Sequence, residues 1–429
     1  MGLFLFCLFT LTAHATTRTV PIYPDGWAGS SVNMLANQSS TLVTAGEFQY
    51  AAFYAADTHL VVARRVLNSD QWEIRKSSYT GNVADAHNTV SIAVDGEGYL
   101  HVAWDHHANP LNYCRSVTPG SLELGPKMPM TGRFEKSVTY PLFFKHPDGG
   151  LLFLYRDGRS GKGNVVLNRY DLKTHQWRQV QENLIDGEGA RSAYLAATLD
   201  PQGALHLAWN WRDTPDVSTN HDLCYAKSTD GGETWVTTGG AALKLPITAA
   251  SAEYALRIPQ LSTMMNPPSL TTDAVGNPVI VNYWAPAGTS VPQFHLVRYD
   301  GKQWSVSPVT QRTQSFALAG TSTKRPPLSR AAVFAGRKEA GFIYRDDERH
   351  GRVILSVCDD LDHPVWHETE LTAESVDAWE PSLDTAQWKQ FHQIHLLVQK
   401  VQQLDGNDRK PGVAAPSPVS VLIWNPATR

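Results

Sequence analysis

Apolar residues in this chain fall in short runs that break at Asp and Gly, and no long stretch with a 3.6-residue period and helix caps interrupts them. The runs form a repeated phrase: an inner strand, a Gly turn, a second strand, then an aromatic residue close to His or Arg. One copy starts at His87 and runs through Asp95-Gly96-Glu97-Gly98 to Trp104-Asp105-His106-His107. A second runs from Tyr140 through Asp148-Gly149-Gly150 to Tyr155-Arg156-Asp157, and a third from Tyr194 through Gly203 to Trp209-Asn210-Trp211-Arg212-Asp213. Second-strand copies recur at 276–284, 340–346 and 392–400, with an earlier one at 47–57, which makes seven. Seven short antiparallel sheets predict an all-β fold, a single seven-bladed β-propeller. Ser228-Thr229-Asp230-Gly231-Gly232-Glu233-Thr234-Trp235 has the form of an Asp-box, a turn motif that stabilises a hairpin and carries no chemistry. The run Val419–Trp424 predicts one more strand, which closes the ring beside a strand from near the N-terminus.

A length of 429 residues would ordinarily suggest more than one domain, but a propeller can use it all. A hydrophobic content of 42% against 18% charged residues excludes a disordered chain, and a net charge of −4 without a basic stripe gives no reason to expect nucleic acid. Residues 1–15 read as a signal peptide, with an apolar run followed by Ala13-His14-Ala15, so residues 16–429 form the propeller of a secreted or periplasmic protein. The apolar run is too short to span a bilayer, and no membrane partner is expected. Removing Cys7 with the signal leaves Cys114, Cys224 and Cys358, an odd set that argues for buried thiols over a disulfide framework. The protein is expected to be a monomer.

Because repeats stack equivalent positions, His87, Tyr140 and Tyr194 should share one rim of the funnel, with His107, Arg156 and Arg212 at a neighbouring level. Residues on a strand alternate faces, so one of His106 and His107 can point towards His87. Arg156, Arg212 and Arg345 either brace their own loops or form an anion site, since guanidinium offers a rigid fork for carboxylate or sulfate. Two chemistries suit an acidic sugar in such a funnel. Hydrolysis requires a pair of carboxylic acids. β-Elimination of a uronate requires neutralisation of the carboxylate, a base for the C5 proton and an acid for the departing O4, which Arg, His and Tyr meet without a metal.

Asp85-Ala86-His87-Asn88, Trp104 to His107, Tyr140 with Arg156 sixteen residues on, and Asn220-His221-Asp222-Leu223-Cys224 before the Asp-box resemble the BNR-repeat ulvan lyases of polysaccharide lyase families 24 and 25, most closely family 25. The resemblance covers nearly all of residues 16–429. It implies a seven-bladed propeller that cleaves ulvan, an acidic sulfated polysaccharide of rhamnose 3-sulfate and uronic acids, by β-elimination. It makes His87 and Tyr140 the acid/base pair, His107 a second imidazole and Arg156 the carboxylate neutraliser, with Arg212 holding a uronate or sulfate. Asn88, His106 and Tyr194 join as substrate-binding residues from adjacency and from the repeat. Which of His87 and Tyr140 removes the proton stays open; nearby Arg could lower the phenol and favour Tyr140 as base. No cofactor is expected for catalysis, but some family members hold a structural zinc, for which His221 and Cys224 are the candidates here. The alternatives are a related propeller that cleaves rhamnose–glucuronate linkages as lyase or hydrolase, and a non-catalytic propeller that binds acidic glycans.

Overall fold

The computed structural model describes residues 15–35, 40–406, 412 and 414–426. The expected signal peptide, and Cys7 with it, lies outside the described residues save for Ala15. Seven antiparallel sheets follow one another around an axis, one for each copy of the repeated phrase. Their second strands are Phe48–Tyr54, Leu100–Trp104, Leu151–Arg159, Leu205–Arg212, Pro278–Trp284, Ala340–Asp346 and Ile394–Val398. These strands are sandwiched between neighbouring blades, which is why they read as continuous apolar runs; every residue of Leu205–Arg212 and Ala340–Asp346 is buried. Outer strands such as Glu73–Thr80 meet solvent and lose that pattern.

The Asp-Gly turns of the repeat have a common construction. The Asp95 carboxylate accepts the Glu97 and Tyr99 backbone N–H groups, each at 2.9 Å, while Gly98 takes φ +91°, a conformation that a side chain would strain. Asp200 does the same for Gln202 and Ala204. In both blades the same Asp also holds a buried histidine from the second strand, and a tyrosine from the third strand takes the other ring nitrogen. His101 lies 3.1 Å from Asp95 and 2.7 Å from the Tyr113 hydroxyl; His206 lies 3.1 Å from Asp200 and 2.6 Å from that of Tyr225. These triads brace the blade core, away from the cavities at the mouth of the funnel. The Asp-box behaves as its sequence predicts: Asp230 accepts the Thr234 hydroxyl at 2.6 Å, and Trp235 is buried.

Closure follows the expected scheme. The strand Thr16–Gly26 pairs antiparallel with Ser417–Asn425, Val20 opposite Val421, and completes the blade built on Ser382–Leu383 and Ile394–Val398. Between those last two strands lies a seven-residue helix, Thr385–Phe391, capped by Asp384. Its Trp388 donates to the Ala335 carbonyl at 3.1 Å and its Lys389 to the Leu199 carbonyl at 2.8 Å. Both carbonyls sit at the final residues of inner strands in other blades. The helix therefore stoppers one end of the funnel, and His87, Tyr140 and Tyr194, at the starts of inner strands, gather at the other.

Candidate active site

Blades 2, 3 and 4 supply the polar cluster. The rings of His87 and Tyr140 are 5.9 Å apart and those of Tyr140 and Tyr194 6.1 Å apart, so the three form one arc along consecutive inner strands. The second tier stands against the first: His107 stacks on His87 at 4.0 Å, Arg156 lies 4.9 Å from the Tyr140 ring and 5.7 Å from that of Tyr194, and Arg212 lies 5.1 Å from Tyr194. Both levels expected from the repeat are thus present and in contact.

Local backbone irregularity aims these groups. Residues His107–Asn109 leave blade 2 and add a short strand to the inner edge of blade 3, where Thr139 stands between His107 on one side and Arg156 on the other. Directly after Thr139 the register slips, and Tyr140 adopts φ +57°. A bulky residue in the left-handed region is uncommon, and here it marks a bulge that re-aims the phenol into the funnel. Tyr140 consequently lines both neighbouring cavities, one shared with His87, Arg212, Asn266, Lys324 and Arg330, the other with Arg156, Tyr194 and Pro267. Among the described residues lining either cavity there is no Asp or Glu.

Charge is distributed unevenly within the cluster. Arg156 is buried, and among the described residues its Nε and Nη1 have no hydrogen-bond partner, a costly state for a buried cation. Arg212 instead donates to the Thr214 carbonyl at 3.1 Å and to that of Pro215, so its guanidinium is held in place beside Tyr194. Burial and the neighbouring Tyr194 raise the Tyr140 phenol above its ordinary range in spite of Arg156, Arg212 and Arg330. Tyr194 moves the other way: burial opposes ionisation, but Arg212, Arg156 and a 2.6 Å hydrogen bond with Ser160 outweigh it. The phenol lowering expected at Tyr140 therefore falls on Tyr194, which faces Arg212 and Arg156 and bonds Ser160.

The geometry departs from three sequence expectations and decides a fourth that was open. His106 is fully buried with its Nε2 accepting the Asn112 N–H at 2.8 Å, and burial pushes it down to about 3, so it is a neutral core imidazole and not a sugar contact. Asn88 is buried and turns its amide to the Asn82 carbonyl at 2.9 Å, holding the loop that carries Asp85 and His87. Arg345 is a brace, bound to Asp347 at 2.6 Å and to the carbonyls of Pro326, Pro327 and Trp379. His221 and Cys224 do not fit a zinc site: Asp222 and Asp213 take the two His221 nitrogens at 3.0 and 3.2 Å, while Cys224 is fully buried, which raises its thiol well away from the thiolate a metal needs. Among the described residues the one group of three such ligands within 4.8 Å is Asp85, His87 and His107.

Two contributors were missed. Asp85 lies within the quoted Asp85–Asn88 motif, two residues from His87, and links it to His107. The other is the connection 309–331 between blades 5 and 6, whose length without regular structure is its signal. It is tied to blade 4 by Gly320 on Asp216 at 2.8 Å and towards blade 7 by Arg325 on Asp405 at 2.9 Å, and it brings Thr323 within 3.4 Å of His87.

A seven-bladed propeller, stoppered at one end and lined at the other by cations, phenols and imidazoles, is the class that fold and site define. A model of a BNR repeat-containing family matches residues 48–312, more than half of the chain, and the protein belongs to that family. Among characterised relatives it is similar to an ulvan lyase, long isoform, of Glaciecola sp. (strain KUL10), 30% identical over 145 residues, which cover 24% of this chain and 14% of that protein. A corresponding protein of Pseudoalteromonas sp. (strain PLSV) is 27% identical over 154 residues, 26% of this chain and 15% of the other. The matches therefore span about one seventh of those relatives' length. Among solved structures, a polysaccharide lyase superposes with a TM-score of 0.71 at 14% identity, covering 96% of this chain and 99% of the other. A PL25 ulvan lyase bound to -[GlcA(1-4)Rha3S]- superposes at 0.69, also 14% identical, with 96% and 97% covered. These likenesses establish the propeller fold.

Proposed function

We propose that this protein is a polysaccharide lyase that cleaves ulvan by β-elimination at the uronate. The observation that carries the reading is Arg156, whose buried Nε and Nη1 have no partner among the described residues and which stands between phenols next to a histidine pair, in cavities whose described lining holds no carboxylate. Hydrolysis by paired carboxylic acids has no residues to work with there. The names of the similar proteins, one of them bound to a sulfated glucuronate–rhamnose fragment, point to the same substrate.

In this reading the charge of the Arg156 guanidinium neutralises the uronate carboxylate and makes the C5 proton acidic. His87, oriented by the carboxylate of Asp85, removes that proton, and Tyr140, kept protonated by burial, donates to O4 as the C4–O4 bond breaks. The products are an unsaturated uronate end and a free hydroxyl on the departing chain. Arg212 and Tyr194 complete the anion-binding wall. The test is incubation with ulvan: ultraviolet absorbance from unsaturated uronate supports elimination, and new reducing ends without it would favour a hydrolase. Binding without any product would favour the glycan-binding alternative.

A further inference from the structure

A single carboxylate serves both imidazoles of this site. Asp85 Oδ1 lies 2.7 Å from His87 Nδ1 and Oδ2 lies 2.6 Å from His107 Nδ1, while the two rings stack at 4.0 Å with 24° between their planes. An ionised carboxylate only accepts hydrogen bonds, so each Nδ1 carries a proton and Nε2 is the basic nitrogen of each ring. The Asp85 side chain is itself fixed: it is buried, and its Oδ1 also accepts the His87 backbone N–H at 3.0 Å. Burial opposes its charge, but the two imidazoles prevail and hold it well below the ordinary carboxylate range.

We propose that Asp85 is a positioning residue that sets the same tautomer in His87 and His107 at once, so that the stacked pair works as one base that accepts a single proton. Two imidazolium rings stacked this closely repel, so protonating one disfavours the other. The groups facing the pair act on it in both directions. Burial and His87 lower His107, Asp85 opposes them, and Arg156 adds to the lowering. The Tyr140 ring lies 5.9 Å from that of His87, Thr323 Oγ1 approaches His87 Nδ1 at 3.4 Å, and Asp105 is near enough to Asp85 for their charges to interact. This role rests on the proposed elimination for its kinetic consequence, but the tautomer and the single proton do not.

The experiment has two arms on the full chain. Nitrogen-15 NMR of histidine-labelled wild type should show both Nδ1 atoms protonated at neutral pH and one proton taken up by the pair on acidification. A ring with its proton on Nε2, or two equal and independent protonations, would overturn the proposal. So would one equivalent of zinc that co-purifies with the wild type and is lost from Asp85→Asn. In that variant the amide can accept from one ring only, so the other must change tautomer. On ulvan it should lose at least about tenfold in kcat with KM nearly unchanged, and its acidic pH limb should move to lower pH, because a base that has lost its anion is weaker. An unchanged pH profile and kcat would overturn the role. If wild type makes no unsaturated product, the elimination reading fails and the NMR arm still decides the pair.

Discussion

Arg156 lies 4.9 Å from the ring of Tyr140 and directly opposite Thr139, the residue before it, so the bulge that turns the phenol into the funnel also sets its distance from the guanidinium. Cation and phenol are thereby fixed by one pair of strands. Arg156→Ala should lower kcat/KM on ulvan by about a hundredfold or more, whereas Arg156→Lys should recover only part of it, since a point charge replaces a two-pronged donor. Steady-state kinetics on ulvan check both, and equal activity of the lysine variant would contradict bidentate docking.

Tyr194 faces the cations that the proposed substrate would use. Its phenol is lowered despite burial because Arg212 and Arg156 face it, so at alkaline pH a phenolate would neutralise the site proposed for the uronate. The sign follows: KM should be steady at neutral pH and rise as the pH climbs towards the ordinary phenol range. Tyr194→Phe should abolish that rise, as measured by KM across a pH series.

Tyr140→Phe removes the proposed acid and keeps the ring. The expected result is a loss of about 10²–10⁴ in kcat with ulvan binding retained, measured by turnover alongside calorimetric affinity. Wild-type turnover in the variant would remove Tyr140 from the proton path.

The buried triads make stability depend on pH. Asp95 and Asp200 are lowered: burial opposes this, but His101 and His206 outweigh it, so their contribution is present above the ordinary Asp value and lost as pH falls. His101 and His206 are also lowered, by burial, below the ordinary imidazole range, so the unfolded chain binds their protons first and acid again favours unfolding. The thermal midpoint should drop steadily below neutral pH, and His101→Leu should flatten that drop while lowering the midpoint at neutral pH. Calorimetry across pH tests this.

The helix 385–391 separates stability from chemistry. Trp388 is buried beneath the end of the funnel opposite the site. Trp388→Ala should cost about 3–5 kcal/mol of stability and leave kcat within about twofold. Denaturant unfolding and turnover measure the two.

Much of this architecture was legible in the chain because a propeller repeats its chemistry. The Gly turn after Asp95 and Asp200, the second-strand runs and the closing strand at Val419–Trp424 all lie where a period of blades puts them. The placing of His87, Tyr140 and Tyr194 on one arc follows from the same period. What the period cannot encode is departure from it. The transfer of His107–Asn109 onto the next blade, the slip at Tyr140 and the crossing of 309–331 towards His87 are non-local pairings without a local pattern. Asn88 and His106 were placed by adjacency, and adjacency fails where a loop turns one neighbour inward. The apparent metal pair His221 and Cys224 sat three apart on a strand, and opposite faces took them to an ion-pair network and a core.

The central claim is that imidazole, phenol and guanidinium from consecutive blades act together on one sugar acid. Its most direct test is ulvan digestion by the purified protein, followed by ultraviolet absorbance and product mass. The account predicts rising absorbance, with each new chain end an unsaturated uronate lighter by one water than its hydrolysed counterpart. New ends of hydrolysed mass without that absorbance, or no cleavage at all, would contradict it.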